Sequence, residues 1–290
     1  MGDPLPLCHL NGEILPLREA RISPLDRSFL YGDGVYEVMP VYGGRPFRFG
    51  PHFGRLARSC QEIRLTNPHS LEGWRALCSE LIARNGGGDQ YVYLQISRGA
   101  EYGRSHAPLP GIAPTVFAFC APLPAPARET LEQGVACITT VDPRWARCDI
   151  KSVALLANVL LRQQALEAGA AEAILLREGL LTEGSGSSVH VIIDGELRAP
   201  PRSPHILPGT TRDVVEELAA ACGIPVRIAP VPEADLRRAE EIWLAAATRE
   251  VVPVTRLDAA PVGSGRPGAG WQRVYSAFQE LKRRLTGEPW

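Results

Sequence analysis

Of the 31 basic residues only Lys151 and Lys282 are lysine. That scarcity singles out the one kind of basic side chain able to form an imine, because a guanidinium keeps its proton at any working pH. Lys151 lies in the largely apolar stretch Cys148-Asp149-Ile150-Lys151-Ser152-Val153-Ala154, whereas Lys282, in Glu280-Leu281-Lys282-Arg283-Arg284, reads as part of a solvated helix face. An amine in apolar surroundings is a candidate nucleophile for carbonyl chemistry. From this stretch alone, a surface lysine at a strand end is the competing reading.

An amine that captures an aldehyde cofactor such as pyridoxal 5′-phosphate needs three further groups: an anion site for the phosphate, a carboxylate for the ring nitrogen, and a trap for an amino-acid carboxylate. Leu207-Pro208-Gly209-Thr210-Thr211-Arg212 is a glycine turn entering an amphipathic helix, where N–H groups, hydroxyls and the positive helix end can meet a phosphate. A plain threonine cap gives the same pattern. Arg55, in His52-Phe53-Gly54-Arg55-Leu56, sits beside the apolar stripe of its helix; it suits a charge-assisted fork on phosphate oxygens or simply snorkels to water. Glu183 precedes the small residues Gly184-Ser185-Gly186-Ser187-Ser188, which permit close approach of a flat ring. A carboxylate there keeps a ring nitrogen protonated, though in isolation it reads equally as a solvated turn residue.

Other chemistries have less behind them. Gly263-Ser264-Gly265-Arg266-Pro267-Gly268 spells a dinucleotide motif, yet it follows no clear strand and holds a proline where the helix should begin, so it reads as a loop. The six histidines are isolated and the seven cysteines scattered, with no C-x-x-C pair; no metal site is expected, and the cysteines read as reduced core residues. A net charge of −1 supplies no field for nucleic acid or an anionic membrane. Residues 1–6 lack a leader pattern and no run of eighteen apolar residues occurs, so a cytoplasmic location is expected.

These residues need elements to hold them. Asn11-Gly12 between short apolar runs predicts a hairpin, and Val35–Val41, Arg45–Phe49, Tyr91–Arg98 and Thr115–Ala121 read as further strands of one sheet. Apolar spacing at Phe53, Leu56, Ala57, Cys60 and Ile63, and again from Leu71 to Ile82, predicts two helices. Pro122, Pro124 and Pro126 mark a linker, giving an α/β domain over 1–120, a linker over 121–127 and a larger α/β domain over 128–290. In the latter, Val135–Val141, Glu172–Leu176, Ser188–Ile193 and Ile242–Ala246 read as strands, with helices near Val153–Ala168, Asp213–Cys222 and Trp271–Leu285.

Read together, Asp26–Val38, the Arg55 helix, Arg144–Ser152, Thr182–Ser185 and Gly209–Arg212 make the chain resemble the fold type IV pyridoxal-phosphate enzymes, and within them the D-amino-acid aminotransferases. The resemblance implies an α/β fold of the α+β type, with two domains, the active site between them and the lysine in the larger one. It implies that Lys151 is the Schiff-base lysine and proton carrier, that Glu183 pairs with the ring nitrogen, and that Arg55, Thr210 and Thr211 hold the phosphate, with Ser187 and an apolar Leu207 as further cofactor contacts. It also implies that Arg104-Ser105-His106 is a carboxylate trap completed by Tyr36, with Val38 beside it, and that Arg104 and His106 reach in from the partner subunit of a homodimer. The implied reaction is a ping-pong exchange of the amino group between D-amino acids and 2-oxo acids such as 2-oxoglutarate or pyruvate. A branched-chain L-amino-acid aminotransferase and an aminodeoxychorismate lyase share the lysine and stand as alternatives; an (R)-amine transaminase has less use for the trap, and a binding protein without turnover has no use for Lys151. Two departures from the family pattern stand out. Ala245-Ala246-Ala247-Thr248 replaces hydroxyls beside the phosphate, and Glu101-Tyr102 places an acid and a bulky ring near the side-chain pocket.

Overall fold

The computed structural model describes residues 3–287; Met1 and Gly2, part of the segment read for a leader, lie outside them. Two compact units emerge, parting at Pro124 inside the proline-rich segment: one takes the chain up to Pro124, Ile150–Ala154 and the chain from Leu285, the other Ala125–Asp149 and Leu155–Arg284. Lys151, expected with residues 128–290, thus belongs by its contacts to the first unit. The reason is backbone pairing: the Tyr36 N–H donates to the Lys151 carbonyl (3.0 Å) and the Val153 N–H to the Gly34 carbonyl (3.0 Å).

The first unit contains β1 (Leu7–Leu10), β2 (Glu13–Pro16), α1 (Arg27–Tyr31), β3 (Gly34–Tyr42), β4 (Arg45–Pro46), α2 (Phe49–Glu62), α3 (Leu71–Arg84), β5 (Gln90–Ser97) and β6 (Thr115–Pro122). Its strands form one antiparallel sheet in the order β2-β1-β6-β5-β3-β4. The hairpin between β1 and β2 turns on Asn11 (φ 50°) and Gly12 (φ 98°), the paired positive φ values that an Asn-Gly loop favours. Leu56 and Cys60 of α2 and Trp74, Leu77 and Leu81 of α3 pack on Val35, Met39, Leu94 and Ile96 of the sheet, so the helical stripes find the face that period-two alternation turns inward. The strand expected over Arg45–Phe49 stops at Pro46, because α2 already begins at Phe49 behind a left-handed Arg48 (φ 56°).

The second unit comprises α4 (Arg128–Gln133), β7 (Val135–Val141), α5 (Leu156–Glu167), β8 (Glu172–Arg177), β9 (Leu180–Gly184), β10 (Ser188–Ile193), β11 (Glu196–Ala199), α6 (Thr210–Ala221), β12 (Val226–Ile228), α7 (Glu233–Arg237), β13 (Glu241–Ala246), β14 (Glu250–Leu257), β15 (Ala260–Pro261) and α8 (Ala269–Gly287). A mixed sheet runs β12-β11-β10-β13-β14-β7-β8-β9, with β15 on β14. Sequence periodicity misses β14, whose Pro253 argues against a central strand; pairing with β7 begins only at Val254, so no β7 acceptor awaits the missing N–H. It also misses β9, and Glu183 therefore stands in a buried strand, not a turn. The α5 helix starts at Leu156 instead of Val153 because β3 has taken the preceding backbone. Among the described residues, no helix is long and apolar enough to cross a membrane. All seven cysteines are free, six of them buried.

Candidate active site

In the first unit, alternation along β3 separates two kinds of side chain: Val35, Glu37 and Met39 are buried, while Tyr36 and Val38 are half-buried. Tyr36 stacks on Tyr93 (ring centroids 5.7 Å), and Lys151 Nζ lies 4.1 Å from the centroid of the Tyr36 ring. The backbone beneath that amine is fixed from α2, where Ser59 Oγ accepts the Lys151 N–H at 3.2 Å. Among the described residues Lys151 has no carboxylate partner. Lys282, by contrast, is not a solvated helix lysine: its Nζ lies 2.5 Å from Glu250 Oε1 and 3.1 Å from Gln279 Oε1.

Arg55 faces Glu37. Its Nε and Nη2 donate to the two carboxylate oxygens at 2.7 Å each, and His52 Nδ1 is 2.8 Å from the same carboxylate. Two of the donors expected on a phosphate are therefore committed to a buried acid. Burial alone would push the Glu37 carboxyl up, but Arg55 and His52 bring it down to about 2. A carboxylate with a depressed folded value stabilises above its unfolded pKa, about 4.3, and that contribution is lost as pH falls through the folded value. The stability advantage of wild type over Glu37→Gln is therefore expected to be full at pH 7 and to disappear between about pH 4.3 and 2, read from urea unfolding midpoints across pH. An advantage that stays constant to pH 2 would contradict the ion pair.

In the second unit, Glu183 is almost fully buried. Arg144 Nη1 donates to its Oε1 at 2.5 Å, and the Leu207 N–H donates at 3.2 and 3.3 Å to its two oxygens. Arg144 also forks onto Asp142 (Nε and Nη2, both 2.9 Å). Burial pushes the Glu183 carboxyl up from its ordinary value against the pull of Arg144, so a cation placed beside it gains more than it would in water. Leu207, expected for its apolar side chain, holds this carboxylate through its backbone. Three residues on, α6 opens with buried Thr210 and Thr211 behind Gly209, and no side chain caps it.

The turn after Glu183 is organised by Glu172. The Ser185 hydroxyl and the Ser187 hydroxyl (3.1 Å) both donate to its carboxylate. Ser187, expected as a cofactor contact, has thereby committed its only proton and offers a phosphate nothing but lone pairs. A Cβ on Gly184 would sit 2.4 Å from Ser187 Oγ and 3.2 Å from Glu172 Cγ, so this glycine is required by the protein's own packing.

Arg104 and His106 are exposed and gather on Tyr31, not Tyr36. The Arg104 Cζ is 5.3 Å from the Tyr31 ring centroid, and the His106 ring centroid is 5.6 Å from it. Their loop is anchored by buried Arg27, which donates to the carbonyls of Ser105 (2.7 Å) and His106 (2.9 Å) and pairs with Asp33 and Glu101. Glu101, expected to line a pocket, is thus a buried clamp that also accepts the Leu109 N–H at 2.9 Å, while Tyr102 points fully into solvent.

Similarity to known proteins fixes the family. The family model described as Amino-transferase class IV matches residues 34–257. The chain belongs to the class IV aminotransferases. Among its relatives, the D-alanine aminotransferase of Bacillus licheniformis is 38% identical over 269 residues, covering 93% of this chain and 94% of the relative. That of Listeria innocua serovar 6a is 38% identical over 284 residues, covering 96% and 97%. Among solved structures, the branched-chain amino acid aminotransferase of Escherichia coli superposes with a TM-score of 0.90 at 28% identity over 96% of this chain and 94% of that one. The T.th. branched-chain amino acid aminotransferase, solved with pyridoxamine 5′-phosphate, also gives 0.90, at 29% identity over 98% and 95%. As a class IV aminotransferase, the chain carries partners that spacing alone does not reveal: Glu37 and His52 around Arg55, Arg144 and Asp142 around Glu183, and Arg27 under the Arg104 loop. Glu37 leaves one readable trace, an acid on the apolar face of a strand, which must find a cation.

Proposed function

We propose that this class IV aminotransferase exchanges the amino group between D-amino acids and 2-oxo acids in a ping-pong reaction with pyridoxal 5′-phosphate, as a cytoplasmic homodimer. The observation that carries the reading is the 38% identity to D-alanine aminotransferases over more than nine tenths of both chains, together with Arg104-Ser105-His106.

The residues fit the cofactor. Lys151 offers an amine with no competing carboxylate among the described residues, Glu183 a buried carboxylate for a ring N–H, and Gly209-Thr210-Thr211 a helix start without a side-chain cap, suited to a phosphate. When bound, pyridoxal phosphate supplies an electron sink for the charge left at the substrate Cα. Lys151 Nζ takes the Cα proton and returns it on the far side of the transfer. Tyr36 packs its ring face beside that amine. Arg144 and the Leu207 N–H hold the Glu183 carboxylate at a fixed angle, so that it accepts a ring N–H without reorganising. Arg55 is held by Glu37, which His52 also contacts, with its Nε and Nη2 engaged on that carboxylate.

Arg104 and His106, exposed in the single chain, would bind the substrate carboxylate in a partner subunit. A second copy also suits the α5 surface, where Leu156, Val159 and Leu160 follow helical spacing and are 60–72% exposed. Light scattering on the purified protein tests this, with a dimer mass expected. Losing a charge-assisted contact of about 1.5–3 kcal/mol, Arg104→Ala is expected to raise KM for D-amino acids about 10- to 100-fold with little change in kcat; an unchanged KM would remove the trap.

The solved branched-chain neighbours favour an L-specific second reading. Spectra during titration with D-alanine, D-glutamate and L-leucine separate the two: the D-compounds are expected to convert the cofactor band. Conversion by L-leucine alone would transfer the assignment to the branched-chain reaction, and pyruvate release without an amino acceptor would point to a lyase.

A further inference from the structure

Three serine hydroxyls follow Glu183, and the structure uses them differently. Those of Ser185 and Ser187 are committed to Glu172. Ser188, the first residue of β10, is 7% exposed, and among the described residues its hydroxyl makes no hydrogen bond. Its cross-strand neighbour is Ala245, which offers no polar side-chain atom. The Ser188 hydroxyl oxygen is not fully enclosed, so an atom of a ligand can reach it.

The hydroxyl is aimed at a definite place. A Cβ built on Gly209 would lie 2.7 Å from Ser188 Oγ, so the oxygen rests against the residue that precedes α6. That helix is 12 residues long, has no side-chain cap and carries buried Thr210 and Thr211 in its first turn. An unengaged hydroxyl therefore shares one spot with the positive end of a helix, and a glycine leaves the room for it. An anion placed there would satisfy both.

We propose that Ser188 Oγ donates a hydrogen bond to the cofactor phosphate at the amino end of α6, whereas the resemblance implies a cofactor contact for the neighbouring Ser187. This rests on the reading of the chain as a pyridoxal-phosphate enzyme. The donor logic is local: the Ser187 proton goes to a carboxylate, that of Ser188 has no acceptor among the described residues, and a phosphate supplies one.

The test uses the full chain freed of cofactor, titrated with pyridoxal 5′-phosphate and, separately, with pyridoxal, which lacks the phosphate. Wild type is expected to bind the phosphorylated form far more tightly. Ser188→Ala is expected to raise the Kd for pyridoxal 5′-phosphate about tenfold and leave that for pyridoxal unchanged. Ser188→Thr, which keeps the hydroxyl, is expected to retain wild-type discrimination, and inorganic phosphate should raise the Tm of the cofactor-free wild type more than that of Ser188→Ala. Ser188→Ala binding the cofactor as wild type does, or losing both ligands equally, overturns the assignment while the function stands. A wild type that binds neither ligand overturns the function and the assignment together.

Discussion

Replacing Lys151 with alanine is expected to lower turnover by at least about four orders of magnitude, the upper range for a positioned proton carrier, before its covalent role is counted. Fold and Tm should stay near wild type. The structural side of this expectation follows from what Lys151 touches. Its amine contacts the face of Tyr36 and has no carboxylate partner among the described residues, so the variant forfeits a cation–π contact of about 0.5–1 kcal/mol. The backbone hydrogen bonds of Lys151 to Tyr36 and Ser59 survive the substitution. Lys151→Arg keeps the positive charge but cannot form an imine, and it should be as inactive as the alanine variant. Circular dichroism, thermal melts and turnover with D-alanine separate chemistry from folding; a Lys151→Ala protein retaining a tenth of wild-type turnover would refute the assignment.

Glu183→Ala carries the second large effect, and here stability and chemistry fall together. Arg144 would keep its fork on Asp142 but lose the carboxylate that accepts from Nη1. Removing one partner of a buried pair destabilises by about 3–5 kcal/mol. With the carboxylate gone, the Arg144 guanidinium repels a protonated ring nitrogen. Each pKa unit by which that nitrogen is weakened as an electron sink is about 1.4 kcal/mol, so a two-unit drop corresponds to about a hundredfold in rate. Glu183→Gln separates the two consequences, because the amide oxygen still accepts from Arg144 and the Leu207 N–H. It should recover most of the stability and little of the turnover. Urea unfolding and kcat for both variants decide the matter; equal turnover of Glu183→Gln and wild type would take the carboxylate out of the chemistry.

Much of this architecture is legible from residue order. Asn11-Gly12, the alternation through β3 and the apolar stripes of α2 and α3 each encode a local geometry, and the core of the first unit follows from them. Local patterns fail where a distant strand takes over. Lys151 reads as part of the lead-in to α5, yet its backbone pairs with β3, more than a hundred residues earlier, and this draws it into the first unit. The Glu183 segment reads as a turn because glycines and serines dominate it; it is the end of β9, buried because β8 pairs with it.

The scarce lysine, the Gly-Thr-Thr helix start and the acid before small residues are visible as types in order. Their partners are not, because charge pairing acts through space. Nothing in the spacing of Glu37 and Arg55 shows that the arginine expected on a phosphate is forked onto an acid on the inward face of β3. Likewise, that Ser187 serves Glu172 and Ser188 does not depends on Ser187 lying in the bend between β9 and β10 while Ser188 opens β10.

Borohydride reduction of the active protein, followed by peptide mapping, tests the central claim most directly. With two lysines in the chain and Lys282 paired to Glu250, the cofactor is expected on the peptide containing Lys151 and on no other, with activity lost in proportion to the label. Fully active protein reduced with Lys151 unmodified, or labelled at Lys282, would contradict the account.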